Sequence, residues 1–422
     1  MGCNQPVFRE IHKIGWLQPT GTESRILSTL KQKDKSVKRI CIVITSRASY
    51  ARSKSMLRSI ERNKNLELFL VGAASLLLYK YGNAVEVLEN DGFHIDEKVY
   101  MVVEGENPTT MAKTVGIGIM ELATVFDNSK PDIVVSIADR FETICTAIAA
   151  SYLNIPVAHI QGGEITGSID EKVRHAVTKF SSLHFVANES AARRVRAMGE
   201  APDSIFVTGC PSIDLAREVR DNHHVIDTDY LYSKYGGVGD VVEIEKDFIV
   251  VLQHPVTTEF EIAYSQMKET LAAVYESRIP AIVFWPNVDA GSDLTSKAIR
   301  EFREQCNPVN VHFFRNFTPQ DFLALLLKCR CIAGNSSVGI RECSFLGVPA
   351  INVGTRQNGR EQGENVTNVP HSKHEILKAL DRYLQHGGRY PSTTLYGDGT
   401  AGQKIAELLE KTTPRIEKRF VV

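Results

Sequence analysis

Short, continuously apolar segments alternate with helical patterns along most of this chain, and that alternation restricts its fold more than any other feature. Residues 40–44, 66–71, 133–137, 157–160, 183–186 and 205–207 form one such series, with helical patterns between them, as at 141–152 and 171–180. A strand that is apolar at successive positions must be covered on both faces, which is the condition of a parallel sheet. Strands alternating with helices then point to a doubly wound α/β domain. The pattern lapses over 221–245, around His223-His224 and Gly236-Gly237-Val238-Gly239-Asp240. It resumes with expected strands at 248–252, 282–285, 311–314, 331–333 and 350–353, and helices at 320–328 and 338–345. One core rarely extends over 422 residues. The expected architecture is therefore two Rossmann-like domains facing across a cleft. Residues 1–37 read as an N-terminal extension, 38–220 as the first domain, 221–245 as the interdomain region, 246–399 as the second domain and 400–422 as a C-terminal helical segment.

A formal net charge of -1 offers no electrostatic case for nucleic acid or an anionic membrane surface. No apolar stretch approaches the roughly 20 residues of a membrane span. The eight cysteines are scattered, and Cys329-Arg330-Cys331 lacks zinc-type spacing. With no signal peptide apparent, reduced thiols and a cytoplasmic location are expected. His223 and His224 have no acid or thiol at metal spacing, so they read as a solvated loop, and no metal site is expected.

Chemistry concentrates between His159 and His175, the sequence HIQGGEITGSIDEKVRH, which follows an apolar strand and leads into a helix. Gly162 and Gly163 would let backbone and ligand approach closely, and loops at strand carboxyl ends are where such domains bind ligands. Asp139 ends another apolar strand, where it is either a helix N-cap or a functional carboxylate. Asp170 and Arg174 are four residues apart, a spacing that would let the cation hold the acid ionised. Gly334-Asn335-Ser336-Ser337 stands between a strand and a helix, which suits either a simple N-cap or an anion site.

These stretches resemble the hydrolysing UDP-N-acetylglucosamine 2-epimerases, and the epimerase half of the bifunctional animal enzyme that also carries a sugar kinase domain. The motifs run in order: Thr45-Ser46-Arg47, Ala138-Asp139-Arg140-Phe141, the 159–175 loop, Thr208-Gly209-Cys210-Pro211-Ser212, Leu252-Gln253-His254-Pro255, Pro286-Asn287-Val288-Asp289-Ala290-Gly291-Ser292, Gly334-Asn335-Ser336-Ser337, Gly354-Thr355-Arg356-Gln357 and Tyr396-Gly397-Asp398-Gly399. The resemblance covers roughly residue 38 to the C-terminus. No kinase domain follows, so it implies the epimerase half alone. It implies a GT-B-type fold, a nucleotide-binding second domain and a C-terminal helix crossing back to the first.

The resemblance also implies that Asp139, Glu164, Asp170, Arg174 and His254 form a catalytic set. UDP would be held by Arg47, Arg140, His254, Asn287, Ser336, Ser337, Glu342 and Arg356, with Glu342 on the ribose. The implied reaction removes the C2 proton, expels UDP by anti elimination and hydrates the resulting 2-acetamidoglucal to free N-acetylmannosamine, for sialic acid biosynthesis. It needs no cofactor, and related enzymes form homodimers or homotetramers. Gln161 departs from the glutamate of the animal and non-hydrolysing branches. Either Glu164 and Asp170 take over its acid–base work, or the substrate is a nucleotide 2,4-diacetamido-trideoxyhexose of a legionaminic-type pathway. A GT-B glycosyltransferase and a non-catalytic nucleotide-sugar binding module remain as other readings.

Overall fold

Strand β1 (Lys38–Ile44) shows how the sheets are built. Ile40, Ile42 and Ile44 join one buried apolar cluster, whereas Cys41 and Val43 join another on the opposite face. Both faces are covered, as a continuously apolar strand requires. The computed structural model describes residues 37–79, 84–105, 107–166, 169–286 and 289–421. The expected extension over 1–37, apart from Val37, and the candidate Asn287 lie outside the described residues.

The first sheet continues through β2 (Leu66–Ala73), β3 (Glu97–Val99), β4 (Ile133–Ile137), β5 (Val157–Ile160), β6 (Leu183–Val186) and β7 (Ile205–Val207), all parallel, in the order β3-β2-β1-β4-β5-β6-β7. The second contains β8 (Val238–Gly239), β9 (Ile249–Leu252), β10 (Ala281–Phe284), β11 (Val311–Phe314), β12 (Cys331–Gly334), β13 (Ala350–Val353) and β14 (Val366–Val369), ordered β14-β13-β12-β9-β10-β11-β8. Only β8 is antiparallel among these described strands. Strand order reverses between β1 and β4, and again between β9 and β12. The chain is a two-domain α/β fold of GT-B type.

Segment 221–245, expected as the interdomain region, forms the Thr228–Tyr235 helix, N-capped by Asp227, and then β8. Ile226, Leu231, Val242 and Ile244 bury themselves in a core cluster of the second sheet, too few for a sustained helical or strand period to register. Two other expectations need correction. His224 is not merely solvated, because its Nε2 lies 2.6 Å from Asp321 Oδ1. The helix expected at 338–345 spans only Glu342–Leu346. The preceding turns close by bonds of unequal span, Arg341 N to Ser337 O at 3.0 Å and Cys343 N to Val338 O at 2.9 Å, so no regular helix propagates there.

The Ala401–Lys411 helix packs on the Lys54–Glu61 helix beside β1, with Ile405, Ala406 and Leu409 buried in the first sheet's core. Both its ends are satisfied. Asp214 accepts from Ala401 N at 2.9 Å and Gly402 N at 2.6 Å. Lys38 Nζ donates to the carbonyls of Leu409, Glu410 and Thr412 at 3.2, 2.6 and 2.9 Å. Asp214→Ala should therefore remove an N-cap from this helix and cost about 1–2 kcal/mol, read as a lower urea midpoint with an unchanged m-value.

Candidate active site

Loops leaving β1, β4, β9 and β12 meet where the strand orders reverse, the position at which open parallel sheets bind ligands. They bring Arg47, Asp139, Arg140, His254, Ser336 and Ser337 to one cleft, joined by Asp170, Glu342 and Arg356. The cleft encloses about 1170 Å³, its open mouth included. Arg52 also lines it.

Behind the cleft wall lies a buried ion cluster. Arg174 pairs with Asp139, donates to Glu171 Oε2 at 2.8 Å and to the Glu164 carbonyl at 2.9 Å. Arg360 Nη2 is 3.2 Å from Glu164 Oε2 and 3.8 Å from Asp139 Oδ2. Arg341 Nη1 is 3.2 Å from Glu164 Oε2 and 3.3 Å from Gln161 Oε1, and Arg52 Nη1 is 3.6 Å from Asp139 Oδ1. Burial raises the cost of charge on both acids, but the guanidinium groups outweigh it. Arg174, Arg52 and Arg360 hold Asp139 well below the usual carboxylate range. Arg341, Arg360 and Arg174 also lower Glu164. Both are ionised at neutral pH.

Several of these contacts differ from what local sequence spacing suggests. Arg174 serves Asp139 rather than Asp170, because it turns inward with Val173 and Val177 and is fully buried. Asp170 instead stands 3.8 Å from Arg356 Nη2. The glycine pair also has a packing reason: a Cβ on Gly163, at φ +74°, would sit 2.4 Å from Ala191 O, and one on Gly162 would sit 2.9 Å from His159 Nδ1. Glu164 is 1% exposed and lies beneath the floor. Asp139 is not an N-cap, since the next helix starts at Thr143.

Toward the second sheet the cleft changes character. Arg140 Nη1 is 3.2 Å from Asp289 Oδ1, and Arg356 Nη2 is 3.9 Å from Asp289 Oδ2. Arg47 and Arg52 are lowered to about 10 by burial and stay cationic at neutral pH. His254 is pushed down to about 3 by burial and by Arg356, so it is a neutral imidazole. The positive charge that could meet a diphosphate therefore comes from arginines. One Glu342 carboxylate oxygen is buried without a hydrogen-bond partner. Beyond it, Phe284, Phe317 and Phe322 with Arg315 and Asn316 form an aromatic end wall that sequence reasoning missed. Its signal was the run Phe313-Phe314-Arg315-Asn316-Phe317 at a strand's carboxyl end. Tyr235 stacks on Phe317 at 4.1 Å, and Thr318 N donates to its hydroxyl at 3.0 Å.

A family model described as UDP-N-acetylglucosamine 2-epimerase matches residues 58–410. The chain belongs to the UDP-N-acetylglucosamine 2-epimerase family. Among relatives, it is 30% identical over 378 residues to the hydrolysing UDP-N,N'-diacetylbacillosamine 2-epimerase of Legionella pneumophila, covering 90% of this chain and 97% of that protein. It is 28% identical to the UDP-N-acetylglucosamine 2-epimerase of Neisseria meningitidis, covering 91% and 99%. A solved Neisseria meningitidis UDP-GlcNAc 2-epimerase bound to UDP-GlcNAc shares the fold, with a TM-score of 0.73 at 17% identity over 89% of this chain and all of that one. Nucleotide-sugar 2-epimerase is thus the activity class of this chain.

In this epimerase family member, His159 underpins the Asp139 loop. Its Nε2 lies 2.9 Å from Ala138 O and its Nδ1 lies 3.1 Å from Thr178 Oγ1, while Ala138 itself is held at φ +62°. Burial pushes His159 down to about 3. A histidine whose folded pKa is depressed binds its proton more readily when unfolded, so its stabilising contribution is full above about pH 6.5 and is lost as pH falls. The urea midpoint should therefore decline between pH 7 and 5, before carboxylates begin to titrate. His159→Gln should make that decline shallower, with His254 and His184, also lowered by burial, supplying the remainder, and an equal slope in the variant would remove His159 as a source.

Proposed function

We propose that the protein is a hydrolysing 2-epimerase that converts a UDP-linked 2-acetamido sugar and water to the free C2-inverted sugar and UDP. The reading is carried by one arrangement: Asp139 and Asp170 share a cleft with Arg47, Arg52, Arg140 and Arg356, and with Glu342 farther along. Arginines neutralise a departing diphosphate through directional, charge-assisted donation. Glu342 suits the ribose hydroxyls, and the aromatic wall around Phe317 suits the base. Ser336 and Ser337 contribute hydroxyls here, not a helix dipole, because the helix begins only at Glu342.

Asp139 and Asp170 carry the proton transfers at the sugar end, with base removal of the C2 proton, loss of UDP from C1 and addition of water across the double bond. Glu164 and Arg174 act from behind the wall, fixing Asp139 through the shared arginines. His254, neutral when the cleft is empty, gains basicity once a diphosphate lies beside it. Simple glycosyl transfer would have less use for this density of acids.

The first substrate proposed is UDP-N-acetylglucosamine, giving N-acetylmannosamine. The second is a UDP-linked 2,4-diacetamido-trideoxyhexose, favoured by the Legionella relative's named substrate and by Gln161, whose amide is tied to Arg341 and the Cys210 thiol. Each is incubated in deuterated and in oxygen-18 water. Solvent deuterium at C2, solvent oxygen at C1 and equimolar UDP are expected; turnover with C2 still protonated would exclude elimination.

Asp139→Asn and Asp170→Asn should abolish turnover while leaving UDP affinity within a few fold, since each keeps its shape and loses a titratable group. Glu342→Ala and Arg356→Ala should weaken UDP binding about ten- to hundredfold, measured by calorimetry. Unchanged UDP affinity in both would overturn the assignment of the nucleotide end.

A further inference from the structure

The C-terminal tail returns to the helix that carries Asp170 and Arg174. Lys418 Nζ donates to the carbonyls of Thr178, Lys179 and Ser181 at 3.0, 2.8 and 2.6 Å. These lie at the end of the Ile169–Phe180 helix, where backbone acceptors have no partner within the helix. A cation there also offsets the negative end of the helix dipole. Asp170 and Glu171 occupy the opposite, positive end.

The tail is anchored at that lysine and just beyond it. Lys418 Nζ lies 2.6 Å from Glu200 Oε2, and Glu200, itself 2% exposed, also holds Lys179 Nζ at 2.7 Å and His184 Nε2 at 3.0 Å. Val421 N donates to Gly199 O at 3.0 Å. The Phe420 ring covers Gly199 so closely that a Cβ there would fall 2.3 Å from it. Lys179 Nζ stands 5.3 Å above the same ring.

From the capped end, contacts lead straight to the candidate acids. Thr178 Oγ1 meets His159 Nδ1, and His159 Nε2 meets the carbonyl of Ala138, the residue before Asp139. One turn earlier on the helix, Arg174 pairs with Asp139. A 12-residue helix is marginal on its own, so its terminal contacts decide how firmly it is set.

We propose that Lys418 is a positioning residue: by capping the Ile169–Phe180 helix from the C-terminal tail, it fixes Asp170 and the Arg174–Asp139 pair for proton transfer. This rests on the assignment of Asp139 and Asp170 made above. The base and ribose end of the cleft, around Phe317 and Glu342, belongs to the second sheet's half of the chain, whereas Lys418, Phe420 and Val421 contact the first. Lys418 should therefore affect turnover far more than UDP binding.

The test compares the 422-residue chain with Lys418→Met, Lys418→Arg and Phe420→Ala. Lys418→Met should lower kcat about tenfold, as small displacements of reacting groups do, with KM and UDP affinity within about twofold. Lys418→Arg, which can still donate to several carbonyls, should recover most of the loss. Phe420→Ala, which loosens the tail but keeps the cation, should show a smaller loss in the same direction. Amide exchange at residues 176–181 should quicken in Lys418→Met while β9 stays protected.

Full kcat in Lys418→Met alongside a lowered melting temperature would reduce the tail to a structural strap and overturn the proposal. So would a loss of UDP affinity equal to the loss of kcat. If Lys418→Met does not fold, unchanged kcat in Phe420→Ala overturns it instead. A wild-type chain silent on both nucleotide sugars would refute the proposed function, and the exchange comparison with Lys418→Arg would still decide whether Lys418 holds the helix.

Discussion

The cleft depends on a buried group of charges in which Glu164 and Asp139 are shared among Arg52, Arg174, Arg341 and Arg360. Charges out of water are tolerable only when paired and hydrogen-bonded, and removing one partner typically costs about 3–5 kcal/mol because the other is left stranded. Glu164 comes from the loop after β5, whereas Arg341 and Arg360 belong to the second sheet's half of the chain. Contact between the halves at this point is therefore ionic, and it places fixed, ionised carboxylates next to the cleft. Apolar packing, which joins the halves elsewhere through Ile213, Leu215 and Val219, would have left no acids poised beside a ligand.

Much of the fold was legible because its strands are apolar at nearly every position and end in turn residues. Loops after β1, β4, β9 and β12 could be picked out for the same reason, and the residues they carry meet in one cleft. Short or charged strands escaped notice: β3 reads Glu97-Lys98-Val99, and β8 has only two residues, both exposed. Such edge strands owe their existence to a neighbour's free hydrogen-bonding groups more than to their own composition.

Pairings across long separations were invisible for a different reason. The four-residue spacing of Asp170 and Arg174 was real, but the helix rotates Arg174 toward the core with Val173 and Val177, and its partner is Asp139. Nothing local ties Glu164 to Arg341 or Arg360. The irregular turns after Ser337 likewise follow from where Arg341 must reach, a tertiary demand that overrides the helical pattern of the segment.

The stacked Tyr235 and Phe317 rings have a consequence for ligand length. Both belong to the half of the chain that contains the second sheet, together with Asp321, which accepts from Tyr235. Asp139 and Asp170 belong to the other half. A nucleotide sugar spanning the cleft would touch one half with its base and the other with its hexose, so its own length acts as a gauge of their separation. On the proposed binding mode, a fragment missing either end would satisfy only one wall.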